Sequence, residues 1–272
     1  MTDRKGGRYQ MESLLIWEHT WEQIRERAPQ SVAIQPIASV EQHGPHLPLA
    51  TDSLIVEEFS RRLQEQMSSD GYPALFLPLM PYGKSNEHME YPGTITYSAE
   101  TFLSVLMDIG RSCARAGFPK LVFLNAHGGN LEVLAMAARE IRIETGMEVF
   151  SLQPSLVPKD RKNMGCPMTP QELRFGIHGG RVETSAILSI RPELVQREHL
   201  HTAFPECYQE TKYLDFSGRV SVGWRTRDVT ATGAVGDSSE AAPEDGERWF
   251  SNVTQETYRV FREILSFRRQ AE

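Results

Sequence analysis

Residues 119–153 read "PKLVFLNAHGGNLEVLAMAAREIRIETGMEVFSLQ". The apolar run "PKLVFLNA" has the length and make-up of a buried strand, "NLEVLAMAAREIRIETG" that of a helix closed by Gly146, and "MEVFSLQ" that of another strand. Strand, helix and strand in succession build a parallel sheet. The same rhythm runs back toward the N-terminus. "QSVAIQPIAS" and "YPALFLPLM" read as strands, and "SAETFLSVLMDIGRSCARAGF" as a helix with Ser98 as its cap and Glu100 near its positive end. Between Asp52 and Met67 the residues Leu54, Ile55, Phe59 and Leu63 recur at helical spacing, with "TDS" offering capping side chains just ahead. The pattern predicts an α/β domain whose central, mainly parallel sheet is covered by helices on both faces.

Outside this core the pattern weakens. "WEHTWEQIRER" places Trp17, Trp21 and Ile24 at helical spacing and predicts a short amphipathic helix. "KDRKNMGCPMTPQELRFG" reads as loop with a short helical piece, "GRVETSAILSI" as the start of a helix, residues 218–247 as strands and turns, and Glu247 to Phe267 as a last helix. No repeat or linker divides the chain, so residues 13–272 are expected to form one domain behind a disordered tail over 1–12.

Hydrophobic residues at 40% and charged residues at 24% are ordinary for a soluble globular protein. A formal charge of −7, with only short and isolated basic clusters such as "DRK" at Lys162, argues against a nucleic-acid partner. No apolar run approaches the roughly 18 residues of a membrane span, and no apolar segment follows the basic N-terminus. Cys113, Cys166 and Cys207 are widely spaced with no CxxC pattern, which suits a reducing compartment. A cytoplasmic protein acting on a small molecule, with no membrane partner, is the expectation.

In an open parallel sheet, ligands bind at the carboxyl ends of the strands. Glu41 and His43 follow the first strand, Ser85 and His88 in "YGKSNEH" the second, and His127 in "NAHGGN" the third. Glu41 and His43 are two apart, so in extended chain they share a face. Carboxylate with imidazole suits Zn²⁺, Mn²⁺ or Fe²⁺, and the lack of thiolate argues against a structural zinc. Asp52 and His127 complete four candidate ligands, although Asp52 could equally cap a helix and His46 pack on a hydrogen bond. "HGGN" also reads as a turn whose amides hold an anion, and Gly128 and Gly129 suit close approach of backbone to a ligand. In "GIHGGRVETSAIL", His178 is a candidate proton carrier beside the carboxylate of Glu183.

Four segments in this order, "ASVEQHGPHLPLATD", "PYGKSNEHMEYPGTI", "NAHGGN" and "HGGRVETS", resemble the signature of the creatininase family, and "GAVGDSSEAAPEDGE" resembles its C-terminal segment. The resemblance implies a three-layer αβα fold and a site with two divalent metal ions (Zn, Mn or Fe) that hydrolyses C–N amide bonds, cyclic or formyl. By position, Glu41 and His127 would hold one metal, His43 the other, and Asp52 would bridge them. Where creatininase has a further carboxylate two residues after the histidine, this chain has Gly129, and Glu183 is the natural replacement. His178 would protonate the departing nitrogen, amides of Gly128 or Gly129 would steady the oxyanion, and Ser85, His88 and Asn130 would shape the pocket. Relatives with "HGGN" also include a hydrolase of keto-inositols, so ring opening of a cyclic ketone and a degenerate, ligand-binding role are the alternatives. The resemblance further implies a homo-oligomer, commonly a hexamer. It places substrate-facing tryptophans just before the "HGG" segment, whereas Trp17, Trp21, Trp224 and Trp249 all lie elsewhere in this sequence, which argues against creatinine as substrate. Arg181, Arg225 and Arg227 could meet an anionic group or simply be solvated.

Overall fold

The computed structural model describes residues 13–158, 164–214, 216, 220 and 222–269. The expected tail over 1–12 and the basic cluster at Lys162 lie outside the described residues. Four parallel strands form one sheet in the order β2-β1-β3-β4, with β1 at Val32–Ile37, β2 at Ala74–Phe76, β3 at Lys120–Asn125 and β4 at Glu148–Leu152. Val32 of β1 stands opposite Ala74 on one side and Lys120 on the other, and Lys120 stands opposite Glu148. β2 is shorter than "YPALFLPLM" suggested, because Pro73 and Pro78 bound it and proline has no N–H to give a ladder.

Side chains alternate across the sheet and seed a core on each face. Val32, Ile34, Phe76, Val122 and Leu124 pack with Val56, Leu63 and Met67 of α2 (Thr51–Asp70) and Phe261 of the last helix, which runs Pro243–Ser266. Ala33, Leu75, Leu121 and Phe123 face the other way, against Phe102 and Leu106 of α3 (Ala99–Arg115) and Leu134 and Ile141 of α4 (Leu131–Thr145). The expected layers of helix, sheet and helix are therefore present. Ser98 caps its helix by accepting the Thr101 N–H at 3.2 Å, and Gly146 ends the helix before β4 with a left-handed φ of 74°.

Three local expectations need correction. Thr20 starts the first helix, α1 (Trp21–Arg27), with a capping box, so Trp17 falls before it on a separate turn; Trp17 and Trp21 are 54% and 69% exposed rather than one buried face. The "TDS" side chains do not cap α2: its N-cap is Ala50, Thr51 Oγ1 donates to the Pro48 carbonyl, and Asp52 turns inward. The last helix starts at Pro243, suited to a first turn where an N–H has no partner, and not at Glu247. Between β4 and that helix, the chain forms α5 (Pro170–Phe175), α6 (Arg181–Ile190), α7 (Thr226–Val229) and a two-stranded antiparallel pair, Thr202–Ala203 with Gly236–Asp237. No described helix is long and apolar enough to cross a membrane.

Candidate metal centre

The carboxyl ends of β1 and β3, the first turn of α2 and the first turn of α6 converge on one volume. Glu41 and His43 come from the loop after β1, Asp52 from the second residue of α2, His127 from the turn after β3, His178 from the segment before α6 and Glu183 from α6 itself. Glu41, His43, Asp52, His127 and His178 are buried, and the Glu183 side chain is 23% exposed. Their ligating atoms fall into three groups that could each hold a cation: Glu41–Asp52–His127, His43–Asp52–Glu183 and Glu41–His43–His178. Asp52 divides its oxygens. Oδ2 lies 3.2 Å from His127 Nδ1 and Oδ1 lies 3.3 Å from His43 Nε2. Glu41 Oε1 is 3.3 Å from His127 Nδ1 and 3.8 Å from His43 Nε2, while Glu183 Oε2 is 4.0 Å from His43 Nε2.

The imidazole tautomers follow from what stands behind each ring. A carbonyl only accepts, so the nitrogen bonded to it must carry the proton. His43 Nδ1–H donates to the Glu41 carbonyl at 3.2 Å, His127 Nε2–H to the Lys84 carbonyl at 3.0 Å, and His178 Nε2–H to the Gln42 carbonyl at 2.5 Å. In the neutral rings, the opposite nitrogens then present lone pairs to Glu41 and Asp52. Lone pair against carboxylate is repulsive unless a proton or a metal ion lies between them. Glu41 Oε1 and Oε2, His43 Nε2 and Asp52 Oδ2 are also buried with no hydrogen-bond partner. Desolvated polar atoms of this kind are costly unless compensated, and divalent cations among oxygen and nitrogen donors would compensate all of them. The residues fit such a centre.

Protons are the competing occupants. Burial alone would lower the His43 imidazole, but Asp52, Glu183 and Glu41 carry it up to about 9. Burial likewise opposes the charge on His127, yet Glu41 and Asp52 raise it well above its ordinary value. Burial pushes Asp52 up, and His43 and His127 more than reverse this, holding it well below the carboxylate range. Metal-free protein at pH 7 therefore holds protons on both rings, and metal binding must expel them. With the Glu183 carboxyl, which burial lifts to about 7, added to the two rings, about two to three protons per chain are expected to be released on loading at pH 7, with affinity rising as pH rises and the His43 contribution levelling off above about 9. Calorimetry in buffers of different ionisation heat counts these protons; no release would mean that the rings are already neutral.

Behind the ligands stand residues that sequence reasoning placed differently or missed. Ser85 and Asn130 are fully buried and lie behind the cleft. Ser85 Oγ meets Ser39 Oγ and His127 Nε2, and Asn130 ties the Lys84 amide to the Ala38 carbonyl. His88, Gly128 and Gly129 do line the cleft. A Cβ at Gly129 would sit 2.3 Å from Glu87 Oε1 and 2.5 Å from His127 Nε2, so glycine there makes room for the chain's own side chains, whereas Gly128 has open space. His46, a candidate for hydrogen-bonded packing, bonds the Gly179 carbonyl at 3.0 Å and Thr184 Oγ1 at 3.1 Å, away from the ligand groups. Gln42 was not anticipated: its amide nitrogen reaches His88 Nδ1 at 2.8 Å and the Gly233 carbonyl at 2.9 Å. Thr226 Oγ1 also meets His88 Nδ1, at 2.8 Å. Both contacts join positions more than 40 residues apart, which no local sequence pattern signals.

The cleft over this cluster has a volume of about 670 Å³, and Trp224, Phe216, Ile177, Met168 and Leu156 form much of its apolar wall. Trp224 and Trp249 both line it, so their distance from the "HGG" segment in sequence does not remove them from the site, and the inference against creatinine drawn from that distance fails. Arg181 is paired with Asp245 at 3.0 Å, Arg225 lines the cleft while paired with Asp228 at 2.9 Å, and Arg227 stacks on Tyr91.

Comparison with known proteins agrees with this geometry. Residues 17–261 match the family model for creatininase, described as creatinine amidohydrolase. The chain is 32% identical over 225 residues to the mycofactocin precursor peptide peptidase of Mycobacterium ulcerans, covering 81% of this chain and 80% of that protein. Among solved structures it resembles creatininase in a manganese form and a mutant creatininase in a zinc–zinc form. Each has a TM-score of 0.73 at 25% identity and covers 93% of this chain and 99% of the other.

Proposed function

We propose, from the premise that this chain belongs to the creatininase family of amidohydrolases, that it cleaves a C–N amide bond with two divalent metal ions. Glu41, Asp52 and His127 would hold one and His43, Asp52 and Glu183 the other. The observation that carries this reading is the tautomer pattern: His43 and His127 anchor their rear N–H on backbone carbonyls and aim their other nitrogen at carboxylates. Two such ions supply Lewis-acid polarisation of a carbonyl and a water acidic enough to ionise near neutral pH.

The chain's own residues supply the rest. His178 stacks between His43 and His88, at ring distances of 4.1 and 4.2 Å, and turns Nδ1 toward Glu41 Oε1 at 3.5 Å. Burial and the neighbouring His43 and His88 hold it well below the ordinary histidine value, so Nδ1 meets the substrate unprotonated. His178 thus takes a proton at Nδ1 from the attacking water before passing it to the departing nitrogen, which refines a role as simple donor. Backbone N–H groups of Gly128 and Gly129, on the cleft wall, serve the oxyanion. Burial lifts the Glu183 carboxyl to about 7, against the pull of His43, and a cation held beside it would favour its ionised form.

A cleft of about 670 Å³ falls within the range that encloses a drug-sized ligand. The substrate amide, formyl or cyclic, on a small polar or heterocyclic body fits within it, and so does a short peptide, the substrate type named for the mycobacterial relative. A screen of formyl amides, lactams, short peptides and cyclic ketones with metal-reconstituted protein tests the reaction class. Release of amine or formate supports an amidohydrolase; ketone ring opening with no amide turnover refutes it.

A further inference from the structure

Glu172 borders the cleft but belongs to none of the three ligand groups, and it is buried, 3% exposed, where three segments meet. It belongs to α5, and its two carboxylate oxygens each accept a backbone N–H from a different stretch. Oε1 accepts that of Arg181, the first residue of α6, at 2.8 Å, and Oε2 that of Asp237 at 2.7 Å. Three glycines close around it. A Cβ at Gly180 would sit 2.3 Å from Oε1, one at Gly176 2.4 Å from the carboxyl carbon, and one at Gly236 3.1 Å from Oε2. Gly176 and Gly180 have φ of −70° and −83°, values that any residue adopts. Glycine supplies space for the carboxylate there, not backbone freedom.

The stretch held in this way delivers Glu183. Gly179, at a left-handed φ of 61°, donates its N–H to Glu183 Oε2 at 2.6 Å, so the third residue of α6 reaches back over the helix start to the residue that precedes the N-cap Gly180. That closure leaves Oε2 4.0 Å from His43 Nε2. The Glu41–Asp52–His127 group takes no residue from α5, α6 or the Asp237 segment.

We infer that Glu172 is a positioning residue for one half of the centre: by fixing the amides at the start of α6, it sets where Glu183 stands opposite His43. The inference rests on the reading of these groups as metal ligands. Glu172→Gln keeps the shape but turns an N–H donor toward one of the two amides. Stepwise Mn²⁺ titration of the folded protein, followed by electron paramagnetic resonance, should show the first equivalent bound as in wild type and the second weakened at least about tenfold. Should that variant not fold, Gly176→Ala crowds the same carboxylate from α5, and the same selective loss is expected. Two equivalents bound with wild-type affinity, or both weakened alike, would overturn the inference. Wild-type protein run alongside separates the two readings: if it binds no Mn²⁺ at all, the ligand assignment itself fails.

Discussion

Asparagine in place of Asp52 is expected to cost the chain both metal ions and to lower kcat/KM at least about a thousandfold, on the order of 4 kcal/mol of transition-state stabilisation. Asp52 is the only residue shared by the Glu41–Asp52–His127 and His43–Asp52–Glu183 groups. Its oxygens, 3.3 Å from His43 Nε2 and 3.2 Å from His127 Nδ1, face opposite halves. Asparagine is nearly isosteric, so the first turn of α2 should persist, but it replaces one oxygen by an amide nitrogen that has no lone pair to give. Metal content and turnover measured on the same folded sample decide the matter. A variant that keeps both ions and full activity would refute the bridging role.

His178→Ala should behave in the opposite way with respect to metal. Turnover is expected to fall by about 10²–10⁴, the usual contribution of general acid–base catalysis, while both ions stay bound. The space left between His43 and His88, whose rings stack on His178 at 4.1 and 4.2 Å, is shaped for a flat ring, so added imidazole should restore part of the rate. Loss of metal from this variant would instead place His178 among the ligands, in the Glu41–His43–His178 group. Unchanged turnover would remove it from the chemistry.

The parallel sheet was legible because its strands are continuous apolar runs and its helices carry clear caps: Ser98 and Gly146 mark ends that the structure retains. β2 was overread, since the prolines of "YPALFLPLM" count as apolar in a pattern but cannot extend a ladder. The six residues brought together at the centre were legible one segment at a time, through acidic and histidine residues behind strand ends. What holds them was not. Gln42, Thr226 and Glu172 act across long sequence separations, and a buried amide, hydroxyl or carboxylate bonded to distant backbone leaves no periodic trace. Asp52 shows the same limit from the other side: a carboxylate at a helix start looks like a cap in sequence, and only the folded loop after β1 turns it toward His43 and His127.

The most direct test of the central claim is a count of metal per folded wild-type chain after reconstitution with Zn²⁺, Mn²⁺ or Fe²⁺ and exhaustive dialysis. About two ions per chain are predicted, as a centre with Asp52 shared between two ligand groups requires. A folded chain that retains at most one ion with each of the three metals would contradict it.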